Sequence, residues 1–308
     1  MSSISVVIPV YNADLSLENL YLKLIPAMEA ITKSFEVIMV DDGSRDGSWE
    51  IIMQLIDRDS RVRGIRLSRN YGQHNAVLCG IRAASFDIIV TMDDDLQNPA
   101  TEIHLMLDKL AEGYDVVYGV PQRVEHGLLR SLASKLTKMA LKSAMGMETA
   151  RDVSPFRAFR TKLREGFKNY NSPFVFIDVL LTWTTSNFAS VKVRHEPRLA
   201  KQSNYTLGML IRHALNLMTG FSTLPLHIAS LIGFISTLFG FGLLVWVLGR
   251  YFITGISVPG FPFLASIIIF FSGTQLFTLG IFGEYLARIH FRTMDRPPYV
   301  VGQVINKT

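Results

Sequence analysis

The chain has 308 residues, 49% of them hydrophobic and 19% charged, with a formal net charge of +5 and one cysteine. Its mean hydropathy of +0.26 is high for a wholly soluble enzyme, while the charged fraction is too large for a wholly membrane-embedded chain. One cysteine excludes an intrachain disulfide framework, and the basic balance comes without a long basic run or basic-aromatic interleaving, which argues against nucleic acid and for an anionic membrane and phosphorylated substrates.

In chain order, short apolar β-branched runs at 4–10, 36–40, 62–67, 88–92 and 116–119 predict strands, and the periodic segments 16–33 and 48–57 predict helices between them. That alternation implies an α/β domain built on a mostly parallel sheet. Ile4–Val10 is too short for the apolar core of a signal peptide. Cys79 lies in an apolar helical stretch and reads as packing. Residues 127–145 place Leu128, Leu132, Leu136 and Met139 among Arg130, Lys135, Lys138 and Lys142, an amphipathic basic pattern that suits either a lipid interface or the surface of the soluble core. A second amphipathic stretch occupies 206–225.

Two uninterrupted apolar runs, 226–249 and 261–282, contain no Asp, Glu, Lys or Arg and exceed the roughly 20 residues needed to cross a bilayer. The connection between them offers Arg250 alone, whereas the tail at 286–308 carries Arg288, Arg292, Arg296 and Lys307, so the positive-inside rule predicts both termini on the cytoplasmic side. Gly233, Gly240 and Gly242 give the first run a small-residue face that could serve a homo-oligomer. The Pro-containing tail after Met294 is weakly specified.

Ligands of parallel α/β sheets bind beyond the carboxyl ends of the strands. The residues there are Pro9-Val10-Tyr11-Asn12, Asp41-Asp42-Gly43-Ser44, Ser68-Arg69-Asn70 and Asp93-Asp94-Asp95-Leu96-Gln97. Asp93 and Asp95 are hard oxygen donors suited to Mg²⁺ or Mn²⁺, with Gln97 able to add a carbonyl oxygen; an acidic turn after a strand is the plainer alternative. Asp41 and Asp42 can accept hydrogen bonds from a base or ribose, or simply build a turn. The seven histidines show no metal-ligand spacing, and neither a P-loop nor a serine nucleophile elbow is present.

These strand-end motifs, with Leu67 through Gly72, Asn98-Pro99, Phe156-Arg157 and Arg198 through Tyr205, resemble the inverting nucleotide-sugar glycosyltransferases of family two, in the polyprenyl-phosphate branch that includes dolichyl-phosphate mannose synthases and bactoprenol glucosyltransferases. The resemblance covers the soluble part, 1–205, and implies a GT-A-type nucleotide-sugar-binding domain followed by two transmembrane helices in a bacterial inner membrane. It implies that Pro9, Tyr11, Asp41 and Asp42 hold the nucleoside, that Asp93, Asp95 and Gln97 hold the divalent ion, and that Arg198, Ser203 and Tyr205 grip the donor phosphates. Arg123, Arg130 and Ser134 would dock the phosphate of a polyprenyl phosphate. Asp152 is a candidate for contacting a sugar hydroxyl, for a base if the acceptor were an alcohol, or for a structural carboxylate paired with Arg151 or Arg157.

The donor it suggests is UDP-glucose, with mannose, N-acetylhexosamine and an aminoarabinose derivative open. Ala13 and Lys201 depart from the family pattern, replacing a Glu and a Gly. A polysaccharide synthase is disfavoured by the absence of Q-x-x-R-W and by having two spans; a non-catalytic adaptor or transporter is disfavoured by the intact acidic motif and uncharged spans.

Overall fold

A computed structural model describes residues 3–122, 152–196, 223–254 and 260–306. The predicted strands form as β1 (Ile4–Val10), β2 (Phe35–Asp41), β3 (Val62–Leu67), β4 (Ile88–Thr91) and β5 (Val116–Pro121). Three more strands complete the sheet: β6 (Arg157–Arg160), β7 (Phe188–Val193) and β8 (Val301–Asn306). The order is β7-β5-β6-β4-β1-β2-β3-β8. Pairings β1–β2, β1–β4, β2–β3 and β5–β7 are parallel, while β6 and β8 run antiparallel to their neighbours.

Helices cover both faces. On β1, Val6, Ile8 and Val10 join the core beneath α1 (Leu17–Ile31), α2 (Ser48–Arg58) and α4 (Ile103–Ala111), while Val7 joins the core beneath α3 (Gln73–Ala83) and α5 (Ile177–Thr182). This split follows from the two-residue period of a strand. Gly80 lets α3 lie against the sheet, since a Cβ there would stand 2.3 Å from Val7 Cγ1. Cys79 is buried in the same layer, and burial pushes its thiol up to about 12, an unreactive packing residue.

Beneath α3, the buried Glu36 accepts hydrogen bonds from Ser5 Oγ, Arg63 Nη1 and Ser85 N–H, each at 2.7 Å. Burial raises its pKa, but these three donors outweigh burial and hold the carboxyl below its ordinary value. A depressed folded pKa stabilises above the unfolded value of about 4.3 and ceases to do so as pH falls through the folded value. Glu36→Gln is therefore expected to lower stability by about 1.5–3 kcal/mol at neutral pH and to flatten the acid limb of the stability profile, as read by denaturation at a series of pH values. An unchanged acid limb in the variant would show that other carboxylates govern it.

The two apolar runs form α6 (Leu224–Thr254) and α7 (Gly260–Thr293). Their candidate spans, Pro225–Ile253 and Ser266–His290, are 6% and 0% buried, which distinguishes them from core helices of a soluble protein. They pack on each other through Phe239 against Phe270 and Gly240 against Phe271. Gly240 is thus engaged within this hairpin, while Gly233 and Gly242 are open.

The second helix runs beyond the expected 261–282 and carries Glu284 and Arg288, ion-paired at 2.9 Å one turn apart. Arg288 also sits 4.8 Å over the Phe174 ring, bringing the end of α7 onto the α/β domain. The segment expected as an unspecified tail returns as β8 on the edge of β3, with Tyr299 packed against the α3 layer. As an edge strand with an almost fully exposed pattern, β8 has no apolar face that a sequence could announce. The expected amphipathic segment at 127–145 and all of that at 206–225 but its last three residues lie outside the described residues.

Candidate active site

Strand order reverses at β1, with β2 on one side and β4 on the other. Such a reversal, at the carboxyl ends of the strands, is where open α/β sheets bind their ligands. A cleft of about 280 Å³ lies there, lined by Pro9, Val10 and Tyr11 from the end of β1, Asp42 after β2, Asn70, Gly72 and Gln73 after β3, and Asp93 and Asp94 after β4.

Each loop is tied to the next. Asp42 N–H donates to Val10 O at 2.8 Å, and the Asp42 carboxylate accepts the N–H groups of Tyr71 and Gly72 at 2.7 and 2.8 Å. Tyr11 N–H donates to Asp94 Oδ2 at 3.3 Å, and Gln73 Nε2 donates to Asp93 Oδ1 at 2.6 Å. Burial raises the Asp42 pKa, with the two N–H donors acting against it and Asp41 adding to it. Gly43, at φ +70, has no room for a side chain: a Cβ would stand 2.7 Å from the Arg69 carbonyl carbon, so the turn after β2 can nest against the loop after β3 only as glycine.

Among the described residues, the wall carries three carboxylates and no lysine, arginine or histidine. Tyr11 is 47% exposed at its edge, offering a ring face. Asp41, Asp95 and Gln97 are not on the wall. Asp41 is fully buried, accepting Ser44 N–H at 3.1 Å and pairing with Arg66 at 3.3 Å, so its position is that of a turn anchor. Asp95 Oδ1 accepts Gln97 N–H at 3.1 Å. Between them Leu96 adopts φ +63 and is buried in the core, leaving Asp93, Asp94, Asp95 and Gln97 partly exposed around that anchor. A left-handed leucine costs about 1–2 kcal/mol, strain tolerated where the core fixes the side chain.

Among the described residues no group of three or more His, Cys, Asp or Glu forms a metal cage. Two carboxylates and an amide suit a different arrangement, in which a Mg²⁺-like ion takes one or two carboxylates and completes its shell with water and substrate phosphate. The donor set fits an ion that arrives with its diphosphate.

Asp152 accepts a hydrogen bond from Ser190 Oγ at 2.6 Å. Arg157 does not pair with it: buried beside the end of β4, Arg157 is ion-paired with Asp178 through Nη1, and its Nε donates to Thr91 Oγ1 at 2.9 Å. Arg123, Arg130, Ser134, Arg198, Ser203 and Tyr205 lie outside the described residues. Their described neighbours are placed, however: Glu196 N–H donates to Gln97 O at 2.8 Å, and Gln122 N–H donates to Val193 O at 3.2 Å. Sequence reading assigned no role to Asn70, Gln73 or Asp94; the carboxyl-end rule pointed to their loops, but side-chain pairing across loops has no local signal.

The family described as "Glycosyl transferase family 2" matches residues 5–169. A protein of Shewanella sediminis named undecaprenyl-phosphate 4-deoxy-4-formamido-L-arabinose transferase is 36% identical over 305 residues, 98% of this chain and 92% of the relative. A protein of the same name from Pectobacterium carotovorum is 34% identical over 309 residues, 99% of this chain and 94% of the relative. Among solved structures, glucosyl-3-phosphoglycerate synthase from Mycobacterium tuberculosis with phosphoglyceric acid has a TM-score of 0.53 at 21% identity, over 71% of this chain and 80% of that one. The same enzyme with Mn²⁺, uridine-diphosphate-glucose and phosphoglyceric acid gives 0.51 at 20% identity, over 71% and 79%. At that identity the likeness concerns the fold.

Proposed function

Because the chain belongs to glycosyl transferase family 2, in its polyprenyl-phosphate branch, we propose that it moves a sugar from a nucleoside diphosphate onto the phosphate of undecaprenyl phosphate, with inversion, at the cytoplasmic face of a bacterial inner membrane. The observation that carries this reading is an acidic cleft at the β1/β4 reversal in a chain that also bears two exposed apolar helices. The likeness to the two relatives extends through those helices, which supports a lipid-borne acceptor.

Pro9 and Tyr11 offer an apolar edge and a ring for the nucleobase, and Asp42 acts chiefly by holding the loop at Tyr71 and Gly72. A diphosphate would be repelled by Asp93 and Asp94 alone. A divalent ion held by Asp93 and Asp95, with Gln97 beside them, would neutralise the leaving diphosphate. A Mn²⁺ complex of a protein with this fold is in keeping with that choice of ion.

Arg198 is assigned to the donor phosphates, an assignment supported by the Glu196–Gln97 bond, since two residues of chain span at most about 7 Å. Arg123, Arg130 and Ser134 are assigned to the acceptor phosphate, and Ser203 and Tyr205 to the donor. Arginine suits these tasks through its planar two-donor fork.

A phosphate monoester has its second pKa near ~6 and is mostly dianionic at neutral pH, so it needs no strong base. Its oxygen forms the new bond to the anomeric carbon as the bond from that carbon to the diphosphate breaks, and the nucleoside diphosphate leaves with the electron pair. Asp152, already bonded to Ser190, has the position of a structural carboxylate.

For the sugar we favour 4-deoxy-4-formamido-L-arabinose, from the names of the relatives; UDP-glucose, suggested by the sequence resemblance, is the second arm of the test. The test is transfer by detergent-solubilised protein to undecaprenyl phosphate from UDP-linked formamidoarabinose, UDP-glucose and GDP-mannose, with Mg²⁺, Mn²⁺ or chelator. Metal-dependent labelling of the lipid by the first donor is expected. Labelling by another donor overturns the sugar assignment alone, and absence of labelling by all three with intact nucleotide binding overturns the acceptor.

A further inference from the structure

The link between α3 and the acidic loop has a role that the fold alone does not require. Gln73 is the first residue of α3 and is exposed on the cleft wall, with its Nε2 2.6 Å from Asp93 Oδ1. Everything behind it is arranged to hold that position. Gly72 turns the chain at φ +97 and is fixed by Asp42 through its N–H, and Gly80 lets α3 rest directly on the sheet.

Asp93, Asp94 and Asp95 stand in one short run, and a hydrogen bond donated to Asp93 holds that carboxylate in one rotamer. A lysine or arginine would provide the same bond, but its charge would compete with a divalent cation for the carboxylate. A primary amide donates without adding charge.

We infer that Gln73 is a positioning residue for divalent-ion-dependent nucleotide binding: its neutral amide fixes the orientation of the Asp93 carboxylate for the ion that accompanies the donor diphosphate. This rests on the transferase reading above. Outer-sphere partners of metal ligands typically contribute about 10–100-fold in metal affinity.

The experiment is calorimetric binding of UDP and of GDP to the full-length protein at graded Mn²⁺ and with chelator, for wild type, Gln73→Ala and Gln73→Lys. Gln73→Ala is expected to raise the Mn²⁺ concentration needed for half-maximal nucleotide binding by about 10-fold with an unchanged melting temperature. Gln73→Lys is the sharper variant: if Gln73 merely pins α3 to the acidic loop, lysine restores the pin and wild-type binding, whereas in the inferred role lysine weakens Mn²⁺-dependent binding further than alanine.

Wild-type behaviour of either variant overturns the inference and leaves the transferase reading standing. A wild type that binds a nucleotide equally with chelator overturns both the inference and the metal assignment. A wild type that binds neither nucleotide overturns the transferase reading itself.

Discussion

Asp93→Asn is expected to lower kcat/KM for sugar transfer by about 10²–10³, equivalent to about 2.7–4 kcal/mol of transition-state stabilisation, without loss of fold. Asparagine keeps an oxygen that can accept the Gln73 amide proton but removes the charge, on a wall where Asp42, Asp93 and Asp94 are the charged residues among those described. Asp95→Asn is expected to behave similarly, since its oxygen can still accept Gln97 N–H while the hard anionic donor is gone. Either substitution dilutes a run of three like charges, so the melting temperature should hold or rise slightly, the usual trade between stability and a strained functional site. Steady-state kinetics and thermal melts of the two variants check this. Full activity in both would remove the acidic loop from the chemistry, and a lowered melting temperature would recast it as structural.

Asp178→Ala should give the largest loss of stability, about 3–5 kcal/mol out of a total that for most domains is about 5–15. Arg157 and Asp178 are 2% and 3% exposed at their side chains and ion-paired, and Tyr118 donates its hydroxyl to the same carboxylate at 3.1 Å. Burial, with the neighbouring Asp178 charge second, pushes the Tyr118 phenol well above its ordinary range, so it stays a neutral donor. Removing the carboxylate leaves a guanidinium in a dry interior with Thr91 Oγ1 as a remaining partner and no counter-charge in that network. Chemical denaturation in detergent measures the loss.

The double variant Arg157→Met with Asp178→Leu should recover much of it, because an apolar pair of similar volume avoids desolvating two charges. If the double variant is as unstable as the single one, the pair is needed for packing geometry rather than for charge compensation. Thr91 is two residues before Asp93, so this network also sets the end of the strand that presents the acidic loop.

The sequence by itself determined the elements whose signal is local. The five predicted strands appeared within one or two residues of their expected ends, because strands buried largely on both faces are rich in apolar and β-branched residues. The two apolar hairpin helices were legible for the same reason, their composition having to match a hydrocarbon surround along its whole thickness. Residues at strand ends pointed to the cleft because topology, not side-chain detail, places ligands there.

Tertiary structure decided what depends on partners far along the chain. Strand β6 begins and ends in arginine, and Arg157 is acceptable inside the core through Asp178, twenty-one positions on. Strand β8 pairs with β3 across more than two hundred residues with almost no buried face. The division of labour among the carboxylates was likewise invisible in sequence: Asp41, the last residue of β2, is buried and anchors a turn with Arg66, whereas Asp42, just past the strand, ties the cleft loop at Tyr71 and Gly72. Gln73 meets Asp93 through a twenty-residue detour that a helix and a parallel strand bring back to the same edge, a contact set by packing and not by any local pattern.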